Sequence, residues 1–395
     1  MGILSRTQSP DVGRADRKFV GRTEPAHDLE VVAAEGSHVR DARGRTLIDF
    51  QMGWCVGNLG WNPPEILARV KNFKGPSYVA PQSKYAPWSE LARRLVNVTP
   101  GDLGRAYRCV GGSEAVELAL QLAIAYTGRH KLVSLEDAYH GNTIGARGVG
   151  SLEFDVHLPG MKKLAQPLDA NGLDKLETQL KHRDVAALIM EPIAMNLGVL
   201  VPDDDFMRGL VPLCHRYGTL VIMDEVACGF GRTGKLFASE YWDLAPDLMC
   251  LAKALGGGVA PIATTLTTAE IADSIEGDYS FYSTFGWQPI TVEAALGTLD
   301  YWDKHGDKLL ENVAARSAQL EQGLRAIFED VEIHVKGVAA SVKLGDEDDV
   351  EKLEKKCRDR GLIIVGEEDE VMLLPPCNVE EKTVDEALEI IEGCS

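Results

Sequence analysis

The chain has 395 residues, of which 45% are hydrophobic and 26% charged, and its formal net charge is −19. That length and apolar content allow one large domain or two ordinary ones. The acidic excess argues against a nucleic-acid or anionic-membrane partner, and it suits a cationic ligand or a high-salt habitat equally well.

In chain order, Leu29 to Phe50 has hairpin character around the turn Asp41-Ala42-Arg43-Gly44-Arg45. From about residue 105 to 267 strand-like and helical patterns alternate, the signature of a parallel sheet covered by helices. Strands are predicted at Arg105 to Val110, Lys131 to Leu135, Val185 to Met190, Thr219 to Met223, Leu248 to Ala252 and Ile262 to Thr267. A helix is predicted from Ser113 to Thr127, with Ser113 as its cap and Gly128 as its end. The spacing of Phe206, Leu210, Leu213 and Cys214 predicts a crossover helix. Val292 to Phe328 reads as a long helix. Val331 to Leu344 and Leu362 to Leu374 read as short strands divided by a charged helix, Asp348 to Arg360, and Thr383 to Glu392 as a last helix. The expected fold is α/β, with a mainly parallel sheet covered by helices in a large domain over residues 59–290. A smaller α+β domain is expected from residues 1–58 and 291–395.

No apolar run approaches a membrane span. The opening residues are polar and basic, unlike a secretory leader, and Arg6 stands where a myristoylation signal after Gly2 needs Ser or Thr. The eight cysteines include no CxxC pair, so buried, reduced thiols, a cytoplasmic location and no metal site are expected.

Lys253 is the most informative residue. It ends the apolar run Leu248 to Ala252 and opens the loop Ala254-Leu255-Gly256-Gly257-Gly258. A lysine at the exit of a buried strand is placed as a nucleophile. Asp224, at the end of another apolar run, lies about thirty residues upstream, which is one βαβ repeat, so carboxylate and amine should emerge side by side. A lysine for a Schiff base and an aspartate to hold a pyridinium proton are what pyridoxal phosphate requires. Val110-Gly111-Gly112-Ser113-Glu114 offers bare amides and a hydroxyl to a phosphate, or is an ordinary capped turn. Tyr139, in Tyr139-His140-Gly141-Asn142-Thr143, offers a ring for stacking on a flat cofactor, or is a plain loop aromatic. Gly229-Phe230-Gly231-Arg232-Thr233-Gly234 has the letters of the dinucleotide fingerprint. No helix opens from its glycines, which argues against a dehydrogenase.

In this order the motifs resemble the class III pyridoxal-phosphate-dependent aminotransferases of fold type I, in an ω-transaminase-like form. The similar stretches are Gly112-Ser113-Glu114-Ala115-Val116-Glu117, Ala138-Tyr139-His140-Gly141, Glu191-Pro192-Ile193, Asp224-Glu225-Val226, Gly229 to Lys235, Ala252-Lys253 and Ser283-Thr284-Phe285-Gly286. The resemblance implies that Lys253 binds the cofactor covalently and shuttles the proton, and that Asp224 pairs with the ring nitrogen. Val226 and Tyr139 would hold the two ring faces, and the Gly112 and Ser113 amides the phosphate. His140 and Glu191 fall in the same cofactor-binding set. Thr284 would reach the phosphate of a neighbouring subunit, which implies a homodimer with shared active sites. Trp54, Tyr139, Glu191 and Met372 would line the substrate pocket, with Glu191 near the place where relatives seat a substrate carboxyl.

The pattern breaks at four positions. Many relatives carry an arginine before the Leu-Leu-Pro-Pro run, where this chain has Met372. A second pocket arginine would fall near Val365, also apolar. A buried Glu191 without a cationic partner is costly. It should therefore be protonated, meet another base, or receive a cationic substrate group, which points to a polyamine, diamine, basic amino acid or amino sugar. Trp287 and Gln288 replace Gly and Asn of the usual loop and are expected to reshape the pocket entrance. The expected activity is ping-pong transfer of an amino group from a primary amine to an oxo acid or aldehyde. Similarity of Thr127 to Lys131 and Glu191 to Val199 to glutamate-1-semialdehyde-type aminomutases makes an isomerase the nearest rival. A lyase on the same scaffold and a cofactor-free binding protein complete the alternatives.

Overall fold

The computed structural model describes residues 12–22, 27, 29–151, 158–277 and 280–395. The first residues, including the myristoylation-like opening, lie outside the described set.

A seven-stranded sheet dominates, in the spatial order Leu103–Cys109, Ala263–Thr268, Leu248–Leu251, Leu220–Asp224, Val185–Met190, Lys131–Leu135 and Met161–Leu164. All neighbouring pairs from Leu248–Leu251 to Met161–Leu164 run parallel. Ala263–Thr268 is antiparallel to both its neighbours, so the sheet is mixed at one edge. The strand Met161–Leu164 escaped the sequence reading because its two lysines mask an edge strand of four residues.

Every residue of Val185–Met190 is buried, as expected of a strand covered on both faces. The pleat sends alternate residues to opposite cores. Val133, Leu188, Met190, Val221 and Met223 join the core made with Leu176, Phe206 and Leu210 of the helices Ala170–Leu180 and Asp204–Arg216. Leu132, Ala187, Ile189 and Ile222 join the core made with Val116, Leu120 and Ala123 of the helix Gly112–Thr127. Gly128 ends that helix in the left-handed region (φ 66°), as expected. Ser113 does not cap it: Gly111 holds the cap position, and the Ser113 hydroxyl instead accepts a hydrogen bond from the Asn142 N–H at 3.0 Å.

The predicted hairpin is a three-stranded meander, Val31–Glu35, His38–Asp41 and Thr46–Asp49, whose last strand pairs in parallel with Leu362–Ile363 near the other chain end. A separate antiparallel sheet runs Ile333–Lys336, Ala339–Lys343, Glu370–Leu373, Val365–Glu367. Ile48 and Phe50 share one core with Leu353, Leu373 and Val384. The helix Pro289–Ile327, 39 residues long, buries Val292, Leu296 and Trp302 in one core and Leu320 and Leu324 in another. Among the described residues no helix is long and apolar enough to cross a membrane.

Candidate active site

The parallel strands all present their C-terminal ends to one cavity of about 1060 Å³, the usual place for a ligand in an open α/β sheet. Asp224 is the last residue of its strand and lies opposite Cys250, while Lys253 follows the adjacent strand after Leu251. Both line the cavity, as the sequence spacing predicts. Lys253 holds the left-handed region (φ 44°), an unfavourable conformation for a long side chain, and opens the short turn Lys253–Gly256.

Asp224 is almost wholly buried, at 3% exposure. Its Oδ1 accepts the Val226 N–H at 3.0 Å and its Oδ2 lies 2.8 Å from His140 Nδ1. A carboxylate can only accept, so Nδ1 carries the proton. His140 Nε2 is buried with no partner among the described residues.

Glu191 lies after the strand Val185–Met190, is buried, and lines the same cavity. Its carboxyl is pushed up to about 8, first by burial and then by the Asp224 charge, with Lys253 opposing. The Met195 N–H donates to it at 3.2 Å. At the two positions where the resemblance implies arginines, Met372 (1% exposed) and Val365 (2%) face each other as cross-strand partners. Glu191 therefore has no arginine from either position.

Gly112 and Ser113 open the helix Gly112–Thr127 toward the cavity. Bulk is excluded there: a Cβ on Gly112 would stand 3.0 Å from a Val226 methyl, and one on Gly141 (φ +125°) 2.5 Å from the Ser113 hydroxyl. Tyr139 lines the cavity at 45% exposure, its hydroxyl accepting from Asn142 Nδ2 at 3.1 Å.

Trp54 also lines it, from the turn Met52–Cys55, in which Met52, Gly53, Trp54 and Cys55 have φ of 46°, 57°, 57° and 68°. Four consecutive left-handed residues are unusual, since each non-glycine costs about 1–2 kcal/mol. Asp49 fixes the turn: Oδ1 accepts the Gln51 and Met52 N–H groups, both at 2.9 Å, and Oδ2 accepts Trp61 Nε1 at 2.8 Å.

One expectation changes, that Trp287 and Gln288 reshape the pocket entrance. Trp287 does not reach the cavity entrance. It is 1% exposed in the hydrophobic core, its Nε1 donating to the Ala263 carbonyl at 2.8 Å, and Gln288 is bound to the Ser77 carbonyl. Thr284 is exposed and does not line the cavity of its own chain. The sequence reading missed Arg147, Gln166, Asn196, Lys343 and the acidic segment 367–370, which all line the cavity.

The model of the family described as "Aminotransferase class-III" matches residues 20–394. The chain belongs to the class III aminotransferases. It is similar to an acetylornithine aminotransferase of Archaeoglobus fulgidus, with 31% identity over 95% of this chain and 98% of the relative. It is 33% identical to an acetylornithine aminotransferase of Methanopyrus kandleri over 84% of this chain and 85% of that one. The solved structure of taurine:2-oxoglutarate aminotransferase from Bifidobacterium kashiwanohense, in complex with PLP and glutamate, superposes with a TM-score of 0.91 at 25% identity. It covers 99% of this chain and 98% of its own.

Class III aminotransferases work with pyridoxal phosphate, and the residues of this chain fit that group. The Lys253 amine and the buried Asp224 carboxylate line one cavity, a glycine cradle opens a helix toward it, and the buried His140 Nε2 has no partner among the described residues.

Proposed function

We propose that this class III aminotransferase takes its amino group from a cationic donor, a diamine or a basic amino acid, and passes it to an oxo acid. Glu191 carries the reading. It is a buried carboxyl in the cavity wall, and Met372 and Val365 withhold the arginine that would neutralise it. A donor ammonium answers that need, and the acids Asp137 and 367–370 in the same wall favour it. The A. fulgidus and M. kandleri relatives are named for acetylornithine, a derivative of a basic amino acid.

In this reading the bound cofactor supplies the electron sink for the donor carbon. Lys253 Nζ would take the proton from that carbon in the first half-reaction and deliver a proton to the acceptor's former carbonyl carbon in the second. Asp224, oriented by the proton on His140 Nδ1, holds a proton on the ring nitrogen. Tyr139 and Val226 hold the ring between them, and the Gly112 and Ser113 amides hold the phosphate at the helix N-terminus, where the dipole favours an anion. Trp54 lines the substrate pocket.

Thr284 reaches a phosphate in a second copy, so the working unit is a homodimer. In support, Thr284 is exposed beside Tyr282 (65% exposed) and Phe285 (57%), and the Phe285 ring packs edge-on to exposed Tyr78, with centroids 6.1 Å apart. The eight buried, free cysteines support a cytoplasmic setting.

The test is a donor panel with the reconstituted enzyme and a fixed oxo acid. Ornithine, lysine, putrescine and cadaverine should outperform β-alanine, and turnover should stop when the oxo acid is omitted. A preference for β-alanine refutes the donor class. Light scattering that returns a monomer refutes the shared site.

A further inference from the structure

We propose that Arg232 is a positioning residue of the active site: its buried guanidinium, together with Asn58, ties the chain segments that wall the substrate pocket to one another. This role holds whichever amine is the donor. Arg232 lies within Gly229 to Gly234, the stretch with the letters of a dinucleotide fingerprint, and the tie gives that stretch a task in this fold.

Arg232 is 0% exposed, and its guanidinium meets carbonyl and amide oxygens, with no carboxylate paired to it among the described residues. Its Nε is buried without a partner among them. A buried charge without a counter-charge adds little stability, and an apolar side chain of similar volume would pack as well or better. What a guanidinium supplies instead is direction, because its N–H donors lie in one rigid plane. Nη1 donates to the Pro375 carbonyl and, at 3.3 Å, to the Val338 carbonyl. Nη2 donates to Asn58 Oδ1 at 2.6 Å. That bond orients the buried Asn58 amide, whose Nδ2 donates to the Gly229 and Phe230 carbonyls at 3.1 and 3.0 Å.

These partners continue directly into the pocket wall. Asn58 lies just past Val56, at the end of the lining segment that carries Trp54. Gly229 and Phe230 lie just past Ala227, which lines the pocket with Asp224 and Val226. Pro375 follows Leu374, which lines it with Met372. Backbone bonds close the junction: the Val338 N–H donates to the Arg232 carbonyl at 3.0 Å and the Cys377 N–H to the Asn58 carbonyl at 2.8 Å. A Cβ on Gly337 (φ +58°) would stand 2.4 Å from the Arg232 carbonyl oxygen, so the turn between Ile333–Lys336 and Ala339–Lys343 sits directly against it. Without the fork, the Trp54 and Met372 walls are free to shift against Lys253. Asp224 keeps its own bonds to His140 and the Val226 N–H. The loss therefore falls on donor binding and spares the cofactor.

The test uses the reconstituted enzyme and whichever of ornithine, lysine, putrescine, β-alanine and alanine the wild type turns over fastest. Arg232→Met should raise the KM for that donor by about 10- to 100-fold, the scale of lost charge-assisted hydrogen bonds, with kcat within about threefold of the wild type. The cofactor absorbance band should be unchanged, which reports folding. Arg232→Lys, which keeps the charge, should recover part of the loss, and Asn58→Ser, which cuts one arm, should raise KM less. Hydrogen exchange read by mass spectrometry should quicken in peptides covering residues 52–59 and 370–377 of Arg232→Met, and stay as in the wild type over residues 185–190. A role in stability alone would lower Tm and leave KM where it was. An unchanged KM, a loss confined to kcat, or unchanged exchange in both wall peptides overturns the proposal. If Arg232→Met does not fold, Arg232→Lys and Asn58→Ser decide by the same readouts. If the wild type turns over none of these amines, the donor class fails and the exchange rates alone decide the role of Arg232.

Discussion

Removing the charge at Glu191 should make the protein more stable, and only at high pH. In the folded chain this carboxyl stands at about 8, against an ordinary value of 4.5. As pH rises through 4.5 the unfolded chain releases its proton while the folded chain keeps it, so stability falls until both are ionised above about 8. The interval of about 3.5 units sets an upper limit of about 5 kcal/mol. Relaxation and water entry around a buried ion bring the expected penalty to about 2–3 kcal/mol. Glu191→Gln keeps the acceptor for the Met195 N–H but cannot ionise. With about 2.1 cal/mol/K of unfolding entropy per residue, a chain of this length gains about 3 °C in Tm. Thermal scans of both proteins at equal cofactor concentration should coincide within about 1 °C at pH 5 and separate by about 3 °C at pH 9, with the variant higher. An offset that is the same at both pH values, or a variant less stable at pH 9, refutes the reasoning.

Lys253→Ala should reduce amino transfer by at least about a thousandfold, and borohydride should no longer fix the cofactor to the chain. Gly141→Ala should destabilise by about 1–3 kcal/mol, because the new methyl meets Ser113 backbone and side chain at 2.8 and 2.5 Å, and a lower urea midpoint would report it. Asp49→Ala leaves three donors without their acceptor, each worth about 1 kcal/mol or more. The left-handed turn should then relax, shifting tryptophan fluorescence and raising the donor KM several-fold while the cofactor absorbance stays constant.

The middle of the sheet was legible because the strands Val185–Met190, Leu220–Asp224 and Leu248–Leu251 are apolar up to the closing aspartate and regularly spaced, and that same spacing brought Lys253 and Asp224 together. Features carried by short or compensated signals were not. Arg147 sits on a helix of five residues, too short for periodicity to register. Asn196 sits on a single turn, Met195–Leu197, that nothing in its composition distinguishes. The left-handed run at Met52–Cys55 contains one glycine, so its conformation is imposed by Asp49 and not by local preference. Ser113 has the chemistry of a cap, yet the approach of the Asn142 N–H draws its hydroxyl across to another loop. Trp287 was misplaced because an aromatic in a loop motif looks like a lid, when its indole is buried behind Ala263.

The facing pair Val365 and Met372 has a bearing on how this scaffold changes its diet. A methionine codon is one base away from an arginine codon, and position 372 lies on a well-formed strand in the wall that also holds Glu191. A single nucleotide exchange could therefore install a cationic partner for Glu191 without rebuilding any backbone. Divergence toward new nutrients would proceed through one hairpin, leaving the reactive machinery at the strand ends untouched.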